Sequence, residues 1–275
     1  MEHCTASVGR LTVILGAVKK LASLAILSSL PLASCSTPPT DSEAVVEHLV
    51  PEIISTHSFD STSFTQGLEL DGDELIVGTG QYGGSRIYRS SVDGQESVSQ
   101  SLDPEFFGQG ITKSGDAIWQ LTWNEGVAFK RDADTLEELD RVSYDGQGWG
   151  ICSTDDALIT SDGSSTLTFR DPETFAENST VDVTLDGSPV GNLNELECVD
   201  GEVYANIFLD TDIMRINPNS GEVTAVIDAS NIPNNATPDT NNVLNGIAHI
   251  PDSDRFYITG KRWPDLYEVR FVPAD

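Results

Sequence analysis

From residue 50 onward, apolar residues alternate with polar ones in short runs that are broken by Asp-Gly, Ser-Gly and Asp-Pro turns. Period-two runs rich in β-branched and aromatic residues predict strands, and no stretch past residue 50 carries the 3.6-residue apolar period of an amphipathic helix. The runs recur as a unit. Five heads open it: QGLEL (66–70), QGITK (109–113), WGICS (149–153), NELEC (194–198) and NGIAH (245–249). Each head leads through a turn to a second run (ELIVGTG, AIWQLTW, ALITSDG, EVYANIF, RFYITGK) and then to a third, such as SRIYRSS or DIMRINPNSG. The heads are spaced 43, 40, 45 and 51 residues apart.

A period of this length, with three to four strands per unit, predicts an all-β chain folded as a five-bladed β-propeller. A single such sheet cannot bury both faces, and radial stacking buries them against neighbours. A β-sandwich also has many short strands but gives no reason for a fivefold head. The run VPEIISTHSF (50–59) has no head and is expected to supply the outer strand of the last blade. First strands line the central channel of a propeller. Gln66, Gln109, Trp149, Asn194 and Asn245 should therefore converge at one mouth, with Leu68, Ile111, Ile151, Leu196 and Ile247 packing between blades. Cys152 holds the fourth slot of its head and Cys198 the fifth, so the two should point to opposite sides. That parity disfavours a disulfide.

The first 34 residues read as an address rather than fold. Lys19-Lys20 precedes the apolar stretch LASLAILSSLPLA (21–33), which has signal-peptide length and ends in LASC, a lipobox-like pattern before Cys35. Residues 1–34 are expected to be removed, Cys35 to carry lipid, and 35–49 to form a Ser/Thr/Pro-rich tether to a propeller spanning 50–275. The chain is then exported and membrane-anchored, facing the cell exterior, with membrane contact only through Cys35. The formal net charge is −29, and because residues 1–34 hold three basic residues and one acidic one, the remainder carries −31. Such acidity argues against nucleic-acid partners. The sequence has no CxxC, HExxH, GxSxG or P-loop pattern, and its histidines are scattered, so no metal site is expected.

Candidate chemistry lies at the channel mouth. Trp119, Trp123, Trp149 and Trp263 fall at or near strand ends expected to face it, and aromatics around a few amides make a small-ligand pocket. Lys261, in TGKRWP, ends a second strand in a chain poor in basic residues.

The chain resembles the papaya-type (plant and bacterial) glutaminyl-peptide cyclotransferases. The resemblance runs over nearly the whole of 50–275. It is carried by FTQGL (64–68), TGQYGGSRIYR (79–89), FFGQGIT (106–112), QLTW (120–123), DGQGWGI (145–151), SDGSSTLTFRDPETF (161–175), NLNELE (192–197), YANIF (204–208), VLNGIA (243–248) and ITGKRWPDLYEV (258–269). It implies a five-bladed propeller that converts N-terminal Gln of small peptides or proteins to pyroglutamate with release of ammonia, without a cofactor. It implies catalytic roles for Gln109, Lys261 and Asn194, and a substrate pocket of Phe64, Gln66, Phe107, Trp123, Trp149 and Phe208.

Three departures qualify this expectation. Gln109 stands where such enzymes usually carry a Glu that shuttles protons, Val77 replaces an acidic position, and Phe208 replaces a pocket Trp. A Gln side chain cannot accept and return a proton. Glu125, Glu195 and Glu197 are the carboxylates weighed as substitutes, with strand parity pointing Glu195 between blades. The alternative function is a catalytically impaired propeller that binds peptide N-termini or serves as a surface scaffold.

Overall fold

A computed structural model describes residues 45–274. The leader, Cys35 and most of the tether read from the sequence lie outside the described residues. Every regular element among the described residues is a strand.

β1 (Glu47–Ser58) is followed by three antiparallel four-stranded sheets. The first holds β2 (Thr65–Asp71), β3 (Glu74–Thr79), β4 (Arg86–Ser91) and β5 (Glu96–Ser101). The second holds β6 (Gly108–Ser114), β7 (Ala117–Thr122), β8 (Val127–Asp132) and β9 (Glu138–Ser143). The third holds β10 (Ile151–Ser153), β11 (Leu158–Thr160), β12 (Thr166–Arg170) and β13 (Glu177–Asp182). A small hairpin of β14 (Thr184–Leu185) and β15 (Ser188–Pro189) leads to β16 (Leu193–Val199), β17 (Glu202–Ile207), β18 (Asp212–Ile216) and β19 (Val223–Asp228). The chain ends with β20 (Leu244–His249), β21 (Arg255–Gly260) and β22 (Asp265–Pro273). β1 joins these last two groups into one eight-stranded sheet. It runs antiparallel to β22 along its length and parallel to β19 at Glu47–Leu49. The run at 50–59 therefore completes the C-terminal sheet as expected, and the pairing begins three residues earlier.

The first strands pack in a closed circuit: β2 on β6, β6 on β10, β10 on β16, β16 on β20, and β20 back on β2. The fold is all-β and propeller-like. Glycine makes the circuit this tight. The second slot of four heads is Gly67, Gly110, Gly150 and Gly246. A Cβ on Gly67 would lie 2.6 Å from the Ile111 nitrogen, and one on Gly150 would collide with the Asn194 carbonyl. The third-slot residues Leu68, Ile111, Ile151, Leu196 and Ile247 are all buried between sheets. Each contributes about 1.5–3 kcal/mol of apolar transfer free energy.

Third strands turn into fourth strands through a repeated Asx turn. Asp132 Oδ1 accepts from Thr135 N and Asp171 Oδ1 from Thr174 N, both at 2.8 Å. Each turn then places a bulky residue in the left-handed region, Leu136 at φ 60° and Phe175 at φ 62°. The backbone cost is offset because both side chains are buried in the inter-sheet core.

The structure corrects the cysteine expectation: Cys152 and Cys198 form a disulfide, with their Cα atoms 5.4 Å apart. The parity itself was right. Third-slot Ile151 packs toward the preceding sheet and fourth-slot Cys152 toward the following one, with Leu196 and Val203. Facing sheets present opposite sides to each other, so a fourth-slot residue of one meets the odd-slot side of the next. Opposite parity in adjacent sheets therefore brings the two sulfurs together.

The fourth head breaks the glycine rule with Glu195. It does not pack between sheets, because the register shifts between Leu193 and Leu196. Its buried carboxylate instead accepts from Leu68 N (3.2 Å) and Ile247 N (2.9 Å), on β2 and β20. Deeper along the first strands, Glu197 accepts from His249 N and Glu69 from Lys113 N, both at 2.8 Å. Desolvation by the surrounding protein is the main reason that Glu195 and Glu197 are held well above the usual carboxylate range and Glu69 is pushed to about 7, and mutual repulsion adds to it.

These raised values fix the sign of a pH effect. Protonation of the trio contributes stability that is fully present below the unfolded value near 4.5. That stability is lost as pH rises through the folded values. Glu197→Gln keeps an acceptor for His249 N and removes one charge. Its melting temperature should exceed that of the unaltered protein by a few degrees at pH 8, at roughly 2–4 °C per kcal/mol, and converge with it near pH 4.5. A variant less stable at pH 8 than at pH 5 by as much as the unaltered protein would refute this, with calorimetry as the readout.

Candidate active site

The strand heads and the ends of the second strands meet at one mouth of the channel, around a cavity of about 380 Å³. From the heads come Gln66, Gln109, Trp149 and Asn194, and from the residues just before them Phe64 and Phe107. From positions just past second strands come Gln81, Trp123, Phe208 and Lys261. All nine catalytic and substrate-binding residues expected from the sequence line this one cavity.

Aromatic rings form its walls. Phe107 meets Phe64, Tyr82 and Trp123 edge-on, at 6.2, 5.3 and 5.5 Å between centroids. Trp149 meets Phe208 at 5.4 Å, also edge-on. One side chain fixes both indoles: Gln147 Oε1 accepts from Trp123 Nε1 and from Trp149 Nε1, each at 3.0 Å. Gln147→Ala removes that shared acceptor. It should raise KM roughly three- to tenfold with kcat within about twofold, the scale of one or two modest hydrogen bonds. Steady-state kinetics check it, and an unchanged KM would release Gln147 from this role.

The polar groups are spare and mostly buried. Asn245, expected at the mouth, lies behind it, donating to Thr65 O (3.0 Å) and Gln66 Oε1 (3.4 Å) and so fixing the first-head amide from the rear. Gln109 is 4 % exposed, and its Oε1 is buried with no hydrogen-bond partner among the described residues. A buried acceptor without a donor carries an unrecovered desolvation cost of about 1–3 kcal/mol, which a ligand N–H would relieve.

Lys261 is 3 % exposed, with Nζ 5.2 Å from the Phe64 ring centre and 4.8 Å from that of Phe208. Among the described residues no carboxylate forms an ion pair with it. Burial without a counter-ion disfavours the ammonium form and pushes its pKa down to about 7.

Two of the four tryptophans expected at the mouth are elsewhere. Trp119 lies mid-strand in β7 and is buried against Phe175, donating to Pro172 O at 3.0 Å. Trp263 is buried in the C-terminal core and donates to Asn242 O at 3.1 Å. Val77 is in the core between the first and last sheets, away from the cavity. None of the three carboxylates weighed as substitutes lines the cavity. Glu195 is occupied as described above. Glu125 accepts from Tyr82 Oη (2.8 Å) and Phe107 N (3.4 Å), bracing the aromatic wall from behind.

Sequence reasoning missed Gln81, Asp239, Asn241 and Arg262, which also line the cavity, and the clamp residue Gln147. A signal for Asp239 and Asn241 was present. The last two heads are 51 residues apart, the longest spacing, and the extra residues form the loop before β20 that carries both.

A family model described as glutamine cyclotransferase matches residues 26–271. The glutaminyl-peptide cyclotransferase of Arabidopsis thaliana is 33 % identical over 229 residues, covering 81 % of this chain and 72 % of its own. The crystal structure of Myxococcus xanthus glutaminyl cyclase superposes with a TM-score of 0.80 at 36 % identity, over 84 % of this chain and all of the other. The family model takes in the first strand and every residue of the cavity. The chain belongs to the glutamine cyclotransferase family.

Proposed function

We propose that this protein is a glutaminyl-peptide cyclotransferase working at the aromatic-walled mouth of a five-bladed propeller. The eight-stranded sheet counts as two blades that share β1 at their seam, beside three separate four-stranded ones. The observation that carries the function is the cavity itself, where two amides, an unpartnered buried acceptor and an uncompensated amine face one another inside aromatic walls.

An N-terminal glutaminyl residue matches those groups. Its α-amine attacks its own side-chain amide carbon, so the reaction is intramolecular, and holding the chain folded removes most of the entropic barrier. Gln109 Oε1 accepts an N–H of the attacking amine and aims its lone pair. The amide N–H groups of Gln66 and Asn194 face the oxygen that becomes negative in the tetrahedral intermediate. The phenyl and indole walls exclude water, which favours cyclisation over hydrolysis. The rest of the peptide leaves past Gln81, Asp239 and Arg262.

The export reading belongs to the same proposal. Residues 1–34 serve as a lipoprotein signal, Cys35 carries the anchor, and the domain from residue 50 faces the cell exterior. The Cys152–Cys198 disulfide supports an oxidising compartment. Incubating the purified protein with a Gln-initiated dipeptide and following ammonia tests the activity. Release with stoichiometric pyroglutamyl product is the expected result, and product-free binding of the peptide would favour the impaired-binder reading that Gln109 raises.

A further inference from the structure

The intramolecular reaction still requires one proton to leave the attacking amine and one to reach the departing nitrogen. Gln109 can do neither, since an amide side chain has no exchangeable acid–base state near neutral pH. Three titratable groups line the cavity: Asp239, Arg262 and Lys261.

Arg262 stays charged and cannot accept a proton. It lies over Phe64 and donates to Asn242 Oδ1 at 3.2 Å. Asp239 is exposed on the loop before β20, and its carboxylate accepts from Asn241 N at 2.8 Å within that loop. Lys261 alone of the three is both buried and free of a charge partner. Its backbone is fixed where β21 ends, with N donating to Val243 O at 2.9 Å, and its amine sits between two phenyl rings in the same cavity as Gln109.

We propose that Lys261, entering the reaction as the neutral amine, carries the proton from the attacking α-amine to the departing amide nitrogen. This deepens the cyclotransferase reading and rests on it.

The step balances. The α-amine lone pair forms the new N–C bond, and the carbonyl π pair moves to oxygen. The surplus proton on the new ring nitrogen passes to Lys261 Nζ. The resulting ammonium, now beside the oxyanion, stabilises it and then gives its proton to the side-chain nitrogen. The C–N bond breaks, ammonia leaves, the carbonyl re-forms, and Lys261 is neutral again. Burial between Phe64 and Phe208 suits the residue to this cycle. It disfavours the charged form at rest, so the amine can accept, while the transient oxyanion supplies the missing counter-charge when it is protonated.

Arg262 on the adjoining turn and Asp239 on the loop are the charged groups that share the cavity with Lys261 among the described residues; β2, β6 and β16 contribute the amides, and the phenyl rings come from Phe64 and Phe107, just before β2 and β6, and Phe208, just past β17. Burial, and not a charge on either of these two groups, is what brings the amine toward neutrality. With the pKa brought down to about 7, kcat should fall close to tenfold per pH unit below about 7. The profile of kcat is the one to read, because titration of free substrate enters kcat/KM instead.

The experiment compares ammonia release by the full chain, Lys261→Arg, and Lys261→Arg combined with Gln109→Glu, between pH 5 and 9. Arg keeps the charge but cannot give up its proton. Lys261→Arg is expected to lose on the order of 10²–10³ in kcat with KM little changed. The double variant should recover at least tenfold of that, with its acid limb moved down toward the carboxylate range. Recovery also shows that the fold survives the Arg. Three results would overturn the inference: a Lys261→Arg kcat within about threefold of the unaltered protein, a kcat profile flat from pH 5 to 8, or a double variant no better than the single. Absence of ammonia from all three proteins at every pH would instead overturn the cyclotransferase reading beneath it.

Discussion

Gln109→Glu is expected to raise kcat for ammonia release from a Gln-initiated dipeptide by on the order of 10² at pH 6. General acid–base catalysis contributes about 10²–10⁴, and the lower end applies because Lys261 already moves protons in the unaltered protein. The pH dependence of the gain is the sharper claim. With a pKa of about 7, Lys261 is mostly protonated at pH 6 and mostly neutral at pH 8. An added carboxylate therefore helps most where the lysine is silenced, and the ratio of variant to unaltered kcat should fall steadily from pH 6 to pH 8. Burial at the Gln109 site would lift the new carboxyl above its usual value but keep it below the lysine, so that it is still ionised at pH 6. KM should change little, because Glu at this position still accepts the amine N–H that the orphaned Oε1 awaits. A gain that is absent at every pH from 5 to 9 would mean that the attacking amine does not approach this side chain.

The same residue shows what a sequence can reveal here. Gln109 and Gln66 were recognisable because each heads a strand that must enter a crowded centre, and crowding imposes a repeated polar-Gly-apolar pattern. Leu68, Ile111, Ile151, Leu196 and Ile247 followed from period-two alternation, which is strongest where one side of a strand is buried against another sheet. The fourth strands were less legible. β5, β9 and β13 are mostly exposed, and their runs ESVSQS, ELDRVS and ENSTVD have no apolar face to betray them. Polar side chains there blunt the open edges.

Features that depend on neighbouring sheets were hidden for a different reason. Parity within one strand placed Cys152 and Cys198 on opposite sides correctly, but whether opposite sides meet is a property of how sheets stack. Glu195 sits in a slot where the other heads have glycine, and that exchange was visible in the sequence. Its consequence, a carboxylate that serves β2 and β20, appears only when the circuit of first strands closes. Trp119 and Trp263 were assigned to the mouth by proximity to strand ends, yet one or two residues along a strand decide between core and cavity. Gln147 gave no signal, since an exposed Gln in a DGQG loop is ordinary until two indoles point at it.

Removing the disulfide should have the largest effect on stability of any single change considered. Cys152 and Cys198 are 46 residues apart in sequence, and closing a loop of that length restricts the unfolded chain by about 4 kcal/mol in the chain-entropy account. At roughly 2–4 °C per kcal/mol for a domain of this size, the Cys152→Ser, Cys198→Ser double variant should melt about 8–16 °C lower. The location argues for a real cost. β10 and β11 have three residues each, so the third sheet has the shortest ladder at the channel and few backbone bonds to hold its inner edge. The disulfide ties that edge to β16, the neighbour whose first strand is seven residues long. Trp149 precedes β10 by two positions, but the Gln147 bond and the Phe208 contact hold its ring from the cavity side. Catalysis at 25 °C should therefore survive the double substitution within about threefold, because the loss falls mainly on the unfolded state and not on the site. Scanning calorimetry with and without reductant reads the first effect and initial rates of ammonia release the second. A melting temperature lowered by less than about 3 °C would show that β10 is held by its packing alone.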